Sequence, residues 1–116
     1  MKANLAKITP SVSRVVVGNH PPITVTMLAL ADNGTLAEGL LVAKDAAGKI
    51  VAYNPGGAAP VNAVKGVLTQ EIDTTADDAA TVLRHGTVRA ESLKVGAGAA
   101  AADDIEALVA IGIYAV

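Results

Sequence analysis

The stretch Ala63–Val88, AVKGVLTQEIDTTADDAATVLRHGTV, holds two runs rich in β-branched residues on either side of a polar loop. The first run is Val64–Ile72 and the second is Ala80–His85, closed by Gly86; Asp73-Thr74-Thr75-Ala76-Asp77-Asp78 lies between them. Bounded Val/Leu/Ile/Thr runs separated by an Asp/Thr cluster read as an antiparallel strand pair. The preceding chain reads as strands feeding this sheet, and the following chain as a lid and a last strand. None of its polar groups is spaced for chemistry.

The 116 residues make one domain by length. Hydrophobic residues are 52% of the chain, yet Phe and Trp are absent, so the core must be built from Val, Leu, Ile and Ala. Each larger aliphatic side chain contributes about 1.5–3 kcal/mol on burial. A core without large aromatic anchors gains from covering more surface between subunits, which favours an oligomer. There is no cysteine, hence no disulfide, thiolate metal site or cysteine nucleophile. The apolar runs fall far short of the ~20 residues of a membrane span, and Met1-Lys2 is not followed by the apolar core of a signal peptide. The net charge of −2 gives no global attraction to nucleic acid. Its distribution is uneven: Lys2, Lys7 and Arg14 stand in residues 1–31 without an acid, whereas residues 32–116 carry 6 basic and 11 acidic side chains.

Working outward toward the start, residues 1–22 show no helical or strand period, and Pro10, Pro21 and Pro22 punctuate them. Val15-Val16-Val17 is a short β-branched run, and Gly18-Asn19-His20-Pro21-Pro22 bars a helix. These residues are expected to form an extended arm containing one potential strand. Fixing about 12 of them costs roughly 12–24 kcal/mol of backbone entropy, while burying about six aliphatic side chains returns roughly 9–18 kcal/mol. The terms nearly cancel, so ordering depends on pairing with another sheet edge. Residues 23–116 are then the folded domain. Ile23-Thr24-Val25-Thr26-Met27 alternates with period two and predicts a half-buried strand. Asp32-Asn33-Gly34 predicts a turn. Leu40–Lys44 and Lys49–Tyr53 predict strands joined by the turn Asp45–Gly48, and Asn54-Pro55-Gly56-Gly57 predicts another turn.

Beyond the opening stretch, Val95–Ala102 is a Gly/Ala tract unsuited to starting a helix. Asp103–Ala110 predicts the one helix: Asp103 as N-cap, Asp104 in the first turn, Ile105, Leu108 and Val109 on one face, and Gly112 as the stop. Ile113–Val116 predicts a closing apolar strand.

The candidates for chemistry are sparse. His20 lies in the Pro-rich arm and His85 at a strand end, without HxH or HxxxH spacing. Asp77-Asp78 and Asp103-Asp104 are adjacent pairs, and neighbours on a strand point to opposite faces, so neither is a carboxylate dyad; the first reads as loop solvation and the second as helix capping. Asp73–Asp78 lacks the Gly and closing Glu of a calcium loop. Ser11, Ser13 and Ser92 lie outside a nucleophile elbow. The Gly-rich segments lack the strand–loop–helix context of a phosphate cradle, and Tyr53 and Tyr114 alone make no stacking platform. No catalytic residue, cofactor or metal is expected.

The ordered pattern Leu36–Ala43, Gly48–Tyr53, Ala63–Asp73 and Ala79–Gly86 resembles the bacteriophage head decoration proteins of the lambda type. Asp103–Tyr114, DDIEALVAIGIY, is similar to the C-terminal helix and strand of longer members from tailed phages. The resemblance covers about residues 36–116. It implies a non-enzymatic capsid cement protein of the virion, made in the host cytoplasm and carried on the outer capsid surface. It further implies a homotrimer at three-fold sites of the expanded head that holds major capsid protein subunits against internal DNA pressure. An N-terminal arm, loose when free, is implied to add a strand to the capsid protein.

The expected fold is therefore α+β and β-dominated: a small mixed sheet, barrel-like, with one short C-terminal helix and an extended arm. Leu5, Ile8, Val12, Val15, Val16 and Val17 are the expected capsid-protein contacts. The competing expectations are a small β-rich adaptor or ligand-binding module of a phage tail or cell surface, and a hydrolase pairing His85 with Asp77 or Asp78.

Overall fold

The computed structural model describes residues 16–17 and 21–116. Its elements, in chain order, are β1 (Val16–Val17), β2 (Ile23–Leu28), β3 (Thr35–Leu36), β4 (Leu41–Lys44), β5 (Ile50–Ala52), β6 (Gly66–Leu68), β7 (Ile72–Asp73), β8 (Ala79–Val88), a 3₁₀ turn (Ala90–Ser92), β9 (Lys94–Val95), β10 (Gly98–Ala99), α1 (Ala102–Ala110) and β11 (Ile113–Ala115). The chain is β-dominated with one short C-terminal helix, as expected for a small α+β domain.

Ten-residue β8 is the axis of the main seven-stranded sheet, whose path runs β1–β8–β6–β4–β5. Val82 and Leu83 pair with both β2 and β6, so these two strands flank β8 on opposite edges. Farther along, Thr87 and Val88 pair antiparallel with β1 and parallel with β11. With β1 and β6 on opposite sides of β8, one edge of β8 carries β1 and β2 and the other carries β6 and β11.

Gly86 does not stop β8, contrary to the sequence expectation. The strand instead bulges before it: Thr24 opposes Leu83 and Ile23 opposes His85, leaving Arg84 as the extra residue. In a regular strand Leu83 and Val88, five apart, would face opposite ways. One extra residue restores the phase, and both side chains enter the same core cluster. The Val64–Ile72 run is also not one strand. β6 pairs with β8 through Val67–Leu83 and Leu68–Val82, and Thr69 N–H still donates to Thr81 O at 3.0 Å. Beyond Gln70 and Glu71 the chain leaves, and Ile72–Asp73 pairs with β3 in a separate ladder.

β4 and β6 are buried along consecutive residues, Leu41-Val42-Ala43 and Gly66-Val67-Leu68. Consecutive burial requires cover on both faces of a strand. On one face Leu41, Ala43, Tyr53, Val67 and Leu83 pack with Leu108 of α1 and Ile113 of β11. On the other Leu40, Val42, Ile50, Leu68 and Val82 pack with Leu36 of β3 and Ile72 of β7. This doubled packing is how a chain without Phe or Trp still fills a core. Gly66 sits where β6 meets β8; a Cβ there would overlap the Leu83 carbonyl oxygen and Val82 Cγ1.

The main sheet is open rather than a closed barrel. Its ends touch at a single bridge, Ala29–Ile50, where Leu30 N–H donates to Ile50 O at 3.1 Å. The Gly/Ala tract, expected only not to start a helix, takes part in the β9–β10 hairpin, with Val95 opposite Gly98. Helix α1 begins two residues earlier than expected, with Ala101 rather than Asp103 as its N-cap. Asp104, three residues on, accepts from Ala101 N–H at 2.9 Å, so the acid serves the helix start from inside the first turn. Gly112 ends the helix at φ +94°. Val109 was expected on the buried face with Ile105 and Leu108; it is exposed, because the inward stripe runs through Asp104, Ile105 and Leu108.

Candidate functional site

The acidic loop after β7 is built from its own side chains. Asp73 Oδ1 accepts from Thr75 Oγ1 at 2.6 Å and Thr75 N–H at 3.0 Å. The Thr75 hydroxyl bond, with the backbone bond second, lowers the Asp73 pKa below its ordinary value. Asp77 Oδ1 accepts from the N–H groups of Asp78 and Ala79 at 2.7 and 3.1 Å. These acids shape turns by bonding backbone donors two residues on. Thr74, which the sequence did not single out, is buried and ties this loop to the turn before β3. It donates its hydroxyl to Gly34 O at 2.6 Å and accepts from Asn33 N–H at 2.7 Å.

The acids do not meet His85. Asp78 precedes β8 and His85 lies in its seventh position, so the extended strand holds them roughly 20 Å apart. An Asp77/Asp78–His85 pair is thereby removed from a single copy of the chain. Among the described residues no group of three His, Asp or Glu side chains could hold a metal ion. A depression of about 670 Å³ is lined by Asn33, Asp45, Tyr53, Asn54, Pro55 and Val95 among others. Its carboxylate, Asp45, shapes the β4–β5 turn by accepting from Ala47 and Lys49 N–H at 2.9 Å each. Its phenol, Tyr53, is turned toward Asp104. Burial first, then the Asp104 carboxylate that accepts its hydrogen bond, then Asp103, raise the Tyr53 pKa above its ordinary 10.0. This buried contact joins the end of β5 to the start of α1; nothing in the spacing of Tyr53 and Asp104 announced it.

What the structure leaves exposed is strand edge. Val16 and Val17 form β1, lying antiparallel on Val88 and Thr87. Leu5, Ile8, Val12 and Val15 lie outside the described residues. β2 continues along the same edge of β8 for six residues and has no other strand partner among the described residues. The half-buried strand expected at Ile23–Met27 is largely uncovered. Ile23 is 54%, Val25 41% and Leu28 49% exposed, and only Met27 is half-buried. Thr24 and Thr26 are exposed as well, so the alternation does not mark a buried face; only Met27, which shares a face with Ile23 and Val25, packs against the core.

Comparison with known proteins follows this geometry. The model of the family described as bacteriophage lambda head decoration protein D matches residues 9–114, nearly the whole chain. No curated protein matches it.

Proposed function

Because the chain belongs to the bacteriophage lambda head decoration protein D family, and is thus a structural component of a phage head, we propose that it is a trimeric capsid cement. Three copies seat at the three-fold sites on the outer surface of the expanded head. They hold neighbouring major capsid protein subunits together against the pressure of packaged DNA. Residues 1–22 serve as the arm that adds a strand to the capsid protein, with Leu5, Ile8, Val12, Val15, Val16 and Val17 as its apolar contacts.

The family match carries this reading. Two physical features support it. The central strands β4 and β6 are covered on both faces, which makes a stiff body suited to bearing load rather than opening around a ligand. The arm carries Lys2, Lys7 and Arg14 without an acid, while the body is acidic, so arm and body differ in what they attract.

The test mixes purified protein with undecorated expanded heads and counts bound copies. Binding in multiples of three at saturation, with heads that better retain DNA on heating, is the expected result. Deleting residues 1–15 keeps β1 on β8 and should abolish binding while leaving the body folded. Undiminished binding by that truncation removes the arm from the mechanism, and failure of the full chain to bind heads overturns the reading.

A further inference from the structure

The turn between β2 and β3 holds Asn33-Gly34, and no other asparagine of the chain is followed by glycine. Both residues are exposed. Gly34 takes φ +77°, with open space where a Cβ would stand. A residue without a Cβ lets its nitrogen swing over the preceding side chain with little steric resistance. The Gly34 N–H enters no hydrogen bond among the described residues, so that nitrogen is at liberty to react. The other described asparagines are closed to the same approach. Asn54 precedes Pro55, whose nitrogen carries no proton. Asn62 precedes Ala63, whose N–H donates to Pro60 O at 3.2 Å.

The main chain on either side of that nitrogen is latched to one buried residue. Asn33 N–H donates to Thr74 Oγ1 at 2.7 Å. Gly34 O accepts from the Thr74 hydroxyl at 2.6 Å and from Thr74 N–H at 3.0 Å. We propose that Asn33 is a self-modifying site, at which the chain converts its own asparagine and opens this latch. Hydroxide takes the Gly34 amide proton, and the nitrogen forms a bond to Asn33 Cγ. The Cγ–Nδ2 bond breaks and ammonia leaves, so a cyclic imide stands at Asn33-Gly34. Water then opens the imide. Cleavage of the bond from Gly34 N to Cγ gives aspartate. Cleavage of the bond from Gly34 N to the main-chain carbonyl gives isoaspartate, whose main chain runs through Cγ. Isoaspartate places an extra methylene between the Asn33 N–H and the Gly34 carbonyl, the two groups that meet on the Thr74 hydroxyl, and so pulls them out of register. Aspartate keeps their spacing. Either product adds a negative charge next to Asp32, beside the loop that carries Asp77 and Asp78.

The test ages the full chain in mildly alkaline buffer and follows each asparagine by peptide mass spectrometry. Isoaspartate is counted separately, by methyl transfer from S-adenosylmethionine with an isoaspartyl methyltransferase. Asn33 should convert at least about tenfold faster than Asn54 and Asn62, and faster still as pH rises, because the attacking nitrogen must lose its proton. Asn33→Gln, whose longer side chain closes a less favourable ring, should lose most of the methyl acceptance. An Asn33 that stays an amide as long as Asn62 overturns the proposal, and so does full methyl acceptance in Asn33→Gln. The opening of the latch has its own readout. The isoaspartyl form, separated by ion exchange, should unfold at lower urea than Asn33→Asp, which carries the same charge on a normal main chain. Equal midpoints for the two overturn the opening of the latch.

Discussion

The main sheet ends in two edges, and they are finished in opposite ways. β5 has three residues and follows a turn tied down by Asp45. Its Ile50 is fully buried and is met by Ala29 across the open end of the sheet. β2 has six residues, four of them uncharged side chains exposed in sequence from Ile23 to Thr26, and along these four no second described strand pairs. Unpaired strand edges recruit other chains, and folded proteins usually blunt them. One edge here is blunted by the fold itself. The other is left reachable, as suits a protein whose task is to join an assembly.

The comparison breaks most readily at Ile50. Ile50→Ala should cost about 2–5 kcal/mol, the range for emptying a fully buried aliphatic site. The fall in the urea midpoint measures it, and a loss below about 1 kcal/mol would mean that the β5 edge is as open as β2. Gly66→Ala should come next, at about 1–3 kcal/mol, because the added methyl group has only the Leu83 backbone and a packed Val82 to displace. Its effect should be global, since β6 joins β4 and β5 to β8.

These residues also show what could be read from the chain alone. Leu40–Lys44, Asp45–Gly48 and Lys49–Tyr53 announced the β4–β5 hairpin because the turn and both strands are local. The helix and the closing strand were legible for the same reason, from Ile105, Leu108 and Gly112. Ile72 was misread because its partner, Leu36, lies far back in the chain and long-range pairing leaves no local mark. The Arg84 bulge and the Thr74 bonds to Gly34 and Asn33 were hidden likewise. For the candidate site, the alternation of β2 predicted half-burial, whereas Ile23, Val25 and the threonines between them are all exposed. The arm expected from Pro10, Pro21 and Pro22 lies mostly outside the described residues.

The Tyr53–Asp104 contact sharpens the comparison from the protected side, because Tyr53 directly follows β5 and is held by its N–H to Leu41 O at 3.0 Å. Tyr53→Phe should cost about 1–2 kcal/mol by leaving the buried Asp104 carboxylate short of a donor. The pH dependence has a definite sign. A phenol whose pKa is raised by folding contributes fully below its ordinary 10.0, and that contribution is lost as pH rises through the folded value. Wild type should therefore lose stability above about pH 10, and Tyr53→Phe should lack that step. Identical alkaline denaturation curves would show that the buried hydroxyl is not what holds this corner.

The smallest effect belongs to the open edge. Val25→Thr keeps a β-branched side chain on a strand where Val25 is 41% exposed, so in dilute solution it should change stability by no more than about 0.5 kcal/mol. The informative quantity is how that difference depends on concentration. In the proposed trimer an edge covered by another copy would be stabilised by mass action, and the wild-type melting temperature would then climb with protein concentration. Val25→Thr would then climb less steeply, because the exposed strand has lost an apolar methyl group to a hydroxyl. A penalty of several kcal/mol at high dilution would mean that the chain's own residues cover β2 and that its edges are more alike than their accessibilities imply. A near-zero penalty that grows with concentration would locate the stabilising contribution of β2 between molecules, while that of Ile50 lies within one.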